Sequence, residues 1–432
     1  MISLNIPESE FKRIVIIGGG FAGLTVAQKL IDTRYQIVLI DKNNYFQFQP
    51  LFYQVAMAGL EPSSIVFPFR KIFQKANNIF FRVAEMSEVV TAENKIVTDK
   101  GELQFDYLVI AVGADTNFFG NAHLLDYVIP MKSVAESLFL RNAILDDYEK
   151  ALLTTDEVER EALMDIVVVG GGPTGVEVAG ALAEMRQNVM PVEYKELNYR
   201  NIDIYLVQSG GLLLNTMSAN ASACAARYLT ELGVKILFNA RVIDYDGNTV
   251  QLEGGKTITT KKVIWAAGIV GNPVKGFEVA TFARGKRLRT DAFNKVIGFN
   301  NIYALGDIAF MDSEAIYKET GHPQVAQVAI QMAKNVAKNF ILESKNRTDF
   351  IPFHYRDLGS MATIGRNKAV VDLPFWHFQG FFAWFVWLFV HLFSIIGLKN
   401  RIFIFINWFW SYFTYDQALR LIIRPRVKNR LN

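Results

Sequence analysis

Two glycine triplets carry the first chemistry in this chain. Gly18, Gly20 and Gly23 follow an apolar run in RIVIIGGGFAGLTVAQKL, and Gly170, Gly172 and Gly175 follow one in DIVVVGGGPTGVEVAGALAEM. Each fits G-x-G-x-x-G between a strand and a helix. That spacing lets backbone approach a pyrophosphate seated on the helix N-terminus. After the first triplet the run YQIVLID ends in Asp41, eighteen residues beyond Gly23, where an acid takes ribose hydroxyls. After the second, IDIYLVQSG places Gln208 at the matching point. An amide bonds a 2′-hydroxyl and does not repel a 2′-phosphate, so NADH and NADPH both stay open. Two bound dinucleotides are expected.

The elements around these loops repeat as well. FDYLVIAVGA (105–114) and KKVIWAAGI (261–269) each read as a strand ending in small residues, Ala111 and Gly113 in one, Ala267 and Gly268 in the other. Such corners let backbone pass beside a dinucleotide. NNIYALGDIA (300–309) ends similarly in Gly306 and Asp307. Beyond it, GHPQVAQVAIQMAKNVAKNF predicts a helix with Pro323 in its first turn. Gln327 and Gln331 then share one face at i, i+4. Glu177 lies just inside the second glycine loop. The plain reading of that residue is a first-turn acid favoured by the helix dipole.

At 432 residues the chain is too long for one core, so two or three domains are expected. Cys224 is the only cysteine, which excludes a disulfide and any redox mechanism using a cysteine pair, and suits a reducing compartment. Five scattered histidines give no metal-ligand spacing, so no metal is expected. MISLNIPESEFKR has no apolar core and does not read as a signal peptide.

The C-terminus differs in composition. Five of the six tryptophans lie in the last 60 residues. From Leu373 on there are seven bases (Lys399, Arg401, Arg420, Arg424, Arg426, Lys428, Arg430) and one acid (Asp416). Seven minus one leaves the tail at +6, and the total of +3 leaves the body at −3. A basic, aromatic tail points to anionic lipid headgroups and away from nucleic acid. Gly380–Leu398 offers nineteen residues without a formal charge, enough to span a bilayer on length alone. The next stretch, 402–415, is too short to return. Asn400, Asn407, Ser411 and Thr414 form one polar stripe along it, the pattern of a helix lying in the interface. An interfacial, monotopic tail is the preferred expectation. The apolar excess would be covered partly by lipid and partly by a second copy of the chain, a homodimer. His391 is the only ionisable side chain between Gly380 and Leu398, too few for a proton path through a membrane.

NNYFQFQPLFYQVAMAGLEPSSI (43–65), GPTGVEVAGALAEM (172–185), AQVAIQ (326–331) and the aromatic tail (380–422) together resemble the bacterial type II NADH:quinone oxidoreductases. These are single-subunit NADH dehydrogenases that pump no protons, within the flavoproteins that have two dinucleotide-binding domains. The resemblance implies an α/β fold of two Rossmann-like domains plus a membrane-anchoring C-terminus. FAD would occupy 11–125 and 272–343, NAD(P)H the inserted 126–271, and the membrane region would be 344–432, with apolar helices at about 380–398 and 402–415. It implies FAD contacts at Gly18, Gly20, Gly23, Asp41, Lys42, Val55, Ala56, Met86, Ala111, Gly113, Gly306, Asp307, Ala326 and Gln327. Asp307 would hold a ribityl hydroxyl, and Val55 and Ala56 would pack by the isoalloxazine. NAD(P)H would meet Gly170, Gly172, Gly175, Glu177, Gln208, Ala267 and Gly268. Glu177 would be the acid near nicotinamide and flavin, Gln327 and Gln331 the quinone-site residues, and Lys368 a weaker quinone-pocket candidate. The implied activity is oxidation of NADH through FAD with two electrons passed to a membrane quinone, on the cytoplasmic face of the inner membrane. A NAD(P)H-dependent ferredoxin or flavin reductase is the alternative enzyme, and the oily tail counts against it. A non-catalytic nucleotide-sensing membrane protein is the alternative of another class, and the intact motifs count against that.

Overall fold

Apolar runs buried on both faces make parallel strands, and this chain builds two such sheets. The computed structural model describes residues 3–414 and 420–422. They form two compact units. The first comprises Met1–Gln47, Val66–Asp115 and Ile269–Asp357. Its sheet runs Ile302–Ala304, Tyr107–Ile110, Arg13–Ile17, Gln36–Asp41, Ile79–Val83, all parallel. Ile17 sits beside Ile40 on one side and Ile110 on the other. Strand order therefore reverses at Arg13–Ile17, and a crevice opens at that strand's C-terminal end. Helix Phe21–Lys29 starts there and packs on helix Ala326–Glu343.

The second unit comprises Phe48–Ile65, Thr116–Gly268 and Leu358–Asn432. Its parallel sheet runs Ile129–Pro130, Val263–Trp265, Ile166–Val169, Ile204–Val207, Lys235–Leu237. The plan is the same: the glycine strand lies in the middle, with helix Pro173–Asn188 leaving its end. Val167, Val207, Val263, Tyr245 and Trp265 share its core. A three-stranded antiparallel sheet (Ser360–Thr363, Ala369–Leu373, Trp376–Gln379) and the aromatic helices Phe381–Ser394 and Leu398–Thr414 follow.

Three local expectations are corrected. The helix expected to begin at Pro323 begins at Ala326. Gln324 donates from Nε2 to the Asp307 carbonyl at 2.9 Å, and Val325 is extended, so the proline lies in the approach to the helix. The first apolar helix ends at Ser394, because Ile395 is extended and Gly397 is left-handed at φ 83°. Among the described residues no helix is long and apolar enough to cross a membrane. Finally, the polar stripe of the second helix turns toward the protein at its start, while Thr414 at its end is exposed and donates to Trp410 O of its own helix at 2.9 Å. Asn400 donates to the carbonyls of Ser63 (3.2 Å) and Ser64 (2.9 Å), and Ile404 on the same face is buried. The opposite face, with Phe405, Phe409 and Phe413, is exposed. Asn400 inside and aromatics outside invert the usual amphipathic order there. Tyr415, Asp416, Arg424, Arg426, Lys428 and Arg430 lie outside the described residues.

Candidate active site

The two glycine loops are built alike. Gly18 donates to Ile40 O (2.8 Å) and Ala111 to Ile17 O (2.8 Å); Gly170 donates to Val207 O (2.9 Å) and Ala266 to Val169 O (2.8 Å). At Gly18 (φ +93°) a Cβ would lie 2.4 Å from Ala111 O, and at Gly170 (φ +110°) 2.6 Å from Ala266 O, so neither admits a side chain. Gly23 and Gly175 similarly face the carbonyls of Gly18 and Gly170, at 1.9 and 1.8 Å from a built Cβ. At Gly20 and Gly172, by contrast, a Cβ meets nothing within 4 Å. These glycines cap helices Phe21–Lys29 and Pro173–Asn188, and as glycines they supply no side-chain acceptor to the first-turn N–H groups. Each loop thus leaves open space in front of helix N–H groups, the cradle a pyrophosphate fills. The residues present at both loops fit the pyrophosphate of a dinucleotide, and the expected FAD and nicotinamide dinucleotide each have a cradle.

Several of the residues expected at FAD lie on the elements around the first cradle, and others do not. Asp41 accepts from the N–H of Gly19 and of Asn43, each at 2.7 Å. Burial raises its pKa and those two bonds oppose the rise. Gly306 (φ +72°) closes the neighbouring strand, with a built Cβ 3.7 Å from Ala22 Cβ and 3.1 Å from Ala329 Cβ. It therefore touches the helix of the glycine loop and the helix whose first turn holds Ala326 and Gln327. Asp307 follows, half-buried, and favours the charged form of Arg287, whose pKa burial lowers to about 10. Gly113 (φ +72°) is open to the crevice. Lys42 is exposed, and Met86 is half-buried in the separate antiparallel sheet. Val55 and Ala56 are buried in the short helix Phe52–Ala56 of the second unit.

At the second cradle Gln208 Oε1 accepts from Gly171 N–H at 2.9 Å, and its Nε2 donates to Leu212 O at 3.2 Å. Ala267 and Gly268 (φ +80°) complete the corner. Glu177 is not in the first turn of its helix, so the dipole does not explain it. Its Oε1 stands 3.5 Å from Thr363 N, at the limit of a hydrogen bond. Burial pushes its pKa up to about 8, with the Thr363 N–H and the Trp387 indole pulling the other way. That buried indole N–H bears on the carboxyl without forming a bond of ordinary geometry. By surface area the residue as a whole is half-buried.

The two expected quinone-site glutamines share a helix face but differ in their ties. Gln331 clamps the backbone of Arg356, accepting its N–H at 3.0 Å and donating to its carbonyl at 2.8 Å. Gln327 is half-buried in the first turn. Lys368 pairs with Glu231 at 2.7 Å.

A cleft of about 110 Å³, partly open to solvent, lies within the second unit between helix Pro173–Asn188 and the two aromatic helices. Its lining includes Tyr53, Gln54, Glu184, Arg366, Trp387 and Trp408. None of these was expected at a site from the sequence; Trp387 and Trp408 were expected with the other tail tryptophans at headgroup depth, and Trp387 is instead buried. The one available signal was the i, i+7 spacing of Glu184 from Glu177, two turns along the same helix.

The fold and the paired cradles define a two-dinucleotide flavoprotein class, and comparison agrees. The family model described as pyridine nucleotide-disulphide oxidoreductase matches residues 12–333, and the NDH2 C-terminal domain matches 358–414. The type II NADH:quinone oxidoreductase NdhA of Mycobacterium tuberculosis is 33% identical, over 97% of this chain and 91% of its own. Ndh of the same organism is 32% identical, over 92% and 87%. The structure of NDH2 from Plasmodium falciparum in complex with NADH superimposes with a TM-score of 0.88 at 24% identity, over 96% of this chain and all of that one. The chain belongs to the type II NADH:quinone oxidoreductases.

Proposed function

We propose that this enzyme works as a monotopic protein on the cytoplasmic face of a membrane, where it meets lipid-dissolved quinone. Its activity is that of its family: NADH is oxidised, FAD is the cofactor and a quinone is the acceptor. Bound FAD supplies a hydride acceptor that returns two electrons. The chain's own part is positioning and exclusion of water. The glycine loops seat two pyrophosphates on helix N-termini. Asp41 and Gln208 each hold a loop N–H; both polar atoms of each side chain are engaged, and the lone pairs of Asp41 and the second amide hydrogen of Gln208 are what they offer a ribose. Glu177, neutral at pH 7, keeps a proton beside the reacting rings. Gln327 lies where the acceptor is reduced, while Gln331 braces the backbone behind it.

The observation that supports the membrane reading is the second aromatic helix, which ties Asn400 to the protein and leaves Phe405, Phe409 and Phe413 bare. Anionic headgroups suit the basic Lys399, exposed beside that face. A second copy of the chain would cover part of the same surface. The test is direct. A yellow purified protein bleached by NADH and recoloured by a long-chain quinone in vesicles, and sedimenting with those vesicles, supports the reading. Protein that stays in the supernatant while turning over quinone analogues overturns the membrane part alone.

A further inference from the structure

The turn Gly306–Ile308 carries Asp307, expected at FAD, and helix Ala326–Glu343 carries Gln327, expected at the acceptor. Passing electrons from one to the other needs the two held in one arrangement. We propose that Arg287, with Gln324, is the clasp that holds them, and that Arg287 is thereby a positioning residue for the acceptor half of the reaction. This rests on the reading that puts FAD at Asp307 and quinone at Gln327.

The chain leaves the turn through strand Ala309–Met311 and comes back to the helix through Pro323, Gln324 and the extended Val325. That approach does not place the helix by itself, because Val325 offers its first N–H groups no side-chain cap. Arg287 opens strand Arg287–Thr290, which runs parallel to Ala309–Met311. The residue is 5% exposed. Its Nε donates to Ala309 O at 2.8 Å, Nη1 to Thr320 O at 3.1 Å and Nη2 to His322 O at 3.0 Å. One guanidinium thus ties the strand leaving the turn to the segment returning to the helix. Gln324 completes the ring, with Nε2 donating to Asp307 O at 2.9 Å. Within this ring Gly306 meets the first turn of the helix, a built Cβ lying 3.1 Å from Ala329 Cβ. A shift of the turn or of the approach therefore reaches the helical turn that bears Gln327.

The residue type matters. Arginine presents its donors in a rigid planar fork, whereas a lysine ammonium is a point charge on a flexible stem. Three backbone acceptors mean that the fork sets the path of the chain and satisfies its own buried N–H groups together. Gly321 gives the fork its room. It is left-handed at φ +65°, and a Cβ there would lie 3.0 Å from Arg287 Nη1 and 2.9 Å from Phe310 Cδ2. The Phe310 ring, 5.3 Å from the guanidinium carbon, favours the charge. The returning segment has a second tie that does not involve Arg287. His322 Nε2 lies 3.2 Å from Glu314 Oε1, which also accepts the Tyr355 N–H at 2.9 Å. That tie keeps the segment in place when the clasp is weakened, so the clasp is open to mutation.

The test compares wild-type holoenzyme with Gln324→Leu, Arg287→Lys and Gly321→Ala. Stopped-flow absorbance follows the flavin through its two half-reactions, and visible circular dichroism reports its surroundings. Gln324→Leu should slow reoxidation by a short-chain quinone on the order of tenfold, below the roughly 10²-fold cost of a 1 Å misplacement, and leave reduction by NADH within about twofold. Arg287→Lys keeps the charge and loses the fork, so it should show the same split between half-reactions, with altered dichroism. Gly321→Ala, which displaces an intact guanidinium, should do likewise. Wild-type reoxidation and dichroism in Arg287→Lys would show that charge alone suffices and overturn the clasp. Equal slowing of both half-reactions in Gln324→Leu would mark a general loosening and overturn it too. If Arg287→Lys does not fold, Gln324→Leu decides, since Gln324 is half-buried and lies in neither strand nor helix. A wild type that is bleached by NADH but never recoloured by quinone overturns the functional reading instead.

Discussion

The N–H of Gly171 donates to Oε1 of Gln208 at 2.9 Å, the counterpart of the 2.7 Å bond from Gly19 N–H to Asp41 Oδ2. In both units the residue ending the second strand holds the glycine loop, and only its charge differs. Gln208→Glu would keep the loop bond and lose the donor to Leu212 O. A carboxylate there repels a 2′-phosphate. We expect kcat/KM for NADPH to fall about tenfold, near 1.4 kcal/mol, with NADH changed less than about twofold. Steady-state kinetics with both nucleotides checks this. A wild type that already rejects NADPH a thousandfold would place the choice elsewhere.

Glu177 sets a pH dependence with a defined sign. Its pKa rises from 4.5 to about 8 on folding, so the folded chain binds the extra proton between those values. Its contribution to stability is present below about pH 4.5 and is lost as pH rises through about 8. Glu177→Gln should flatten that part of the curve in denaturant titrations of the apoprotein. In the holoenzyme, quinone-dependent turnover should decline above about pH 8 in the wild type and lose that limb in the variant. An unchanged limb would mean another group titrates there.

Gln327 and Gln331 should separate, although their spacing alone makes them a pair. Gln327→Leu should slow flavin reoxidation by quinone and spare flavin reduction by NADH. Gln331→Leu breaks two bonds to the Arg356 backbone. Arg356 is exposed, so water replaces them in part, and about 1 kcal/mol of stability should be lost. Stopped-flow half-reactions and denaturant melts distinguish the two. Equal loss in both half-reactions for Gln327→Leu would assign it to flavin support.

The paired cradles were legible in the sequence because glycine spacing is a backbone constraint and backbone constraints are local. Gly18, Gly170 and their crossing partners Ala111 and Ala266 fall where the strand-loop-helix pattern puts them. The cleft was not legible. It joins Gln54, Glu184, Arg366 and Trp408 from four distant segments, and no single segment carries its pattern. Nor was the direction of the polar stripe. A stripe on an apolar helix marks one face as different, and only the Asn400 bonds to Ser63 and Ser64 show that this face turns inward at its start. The break at Ile395–Gly397 was hidden because hydropathy continues across it while the backbone does not.

The outward aromatic face yields the last prediction. Phe385 and Phe389 on one helix, and Phe405 and Phe409 on the next, are each more than half exposed. Burying a phenylalanine side chain in lipid is worth about 1.5–3 kcal/mol, against ~1 kcal/mol per basic residue from anionic headgroups. High salt should therefore leave the enzyme on vesicles, and detergent should release it. Removing the whole tail is a poor test, since Ala383 and Trp387 are buried and their loss would open the second unit. Phe389→Asp with Phe409→Asp changes only exposed positions. That double variant should bind vesicles at least about a hundredfold more weakly, near 2.7 kcal/mol. It should still pass electrons from NADH to a water-soluble quinone analogue while turning over long-chain quinone poorly. Topology is read separately, in sealed vesicles with the enzyme inside. A tag after Asn432 should resist external protease. Digestion of the tag with the body protected would show a crossing and defeat the monotopic reading, and unaltered vesicle affinity in the double variant would show that the aromatic face is not what holds the enzyme there.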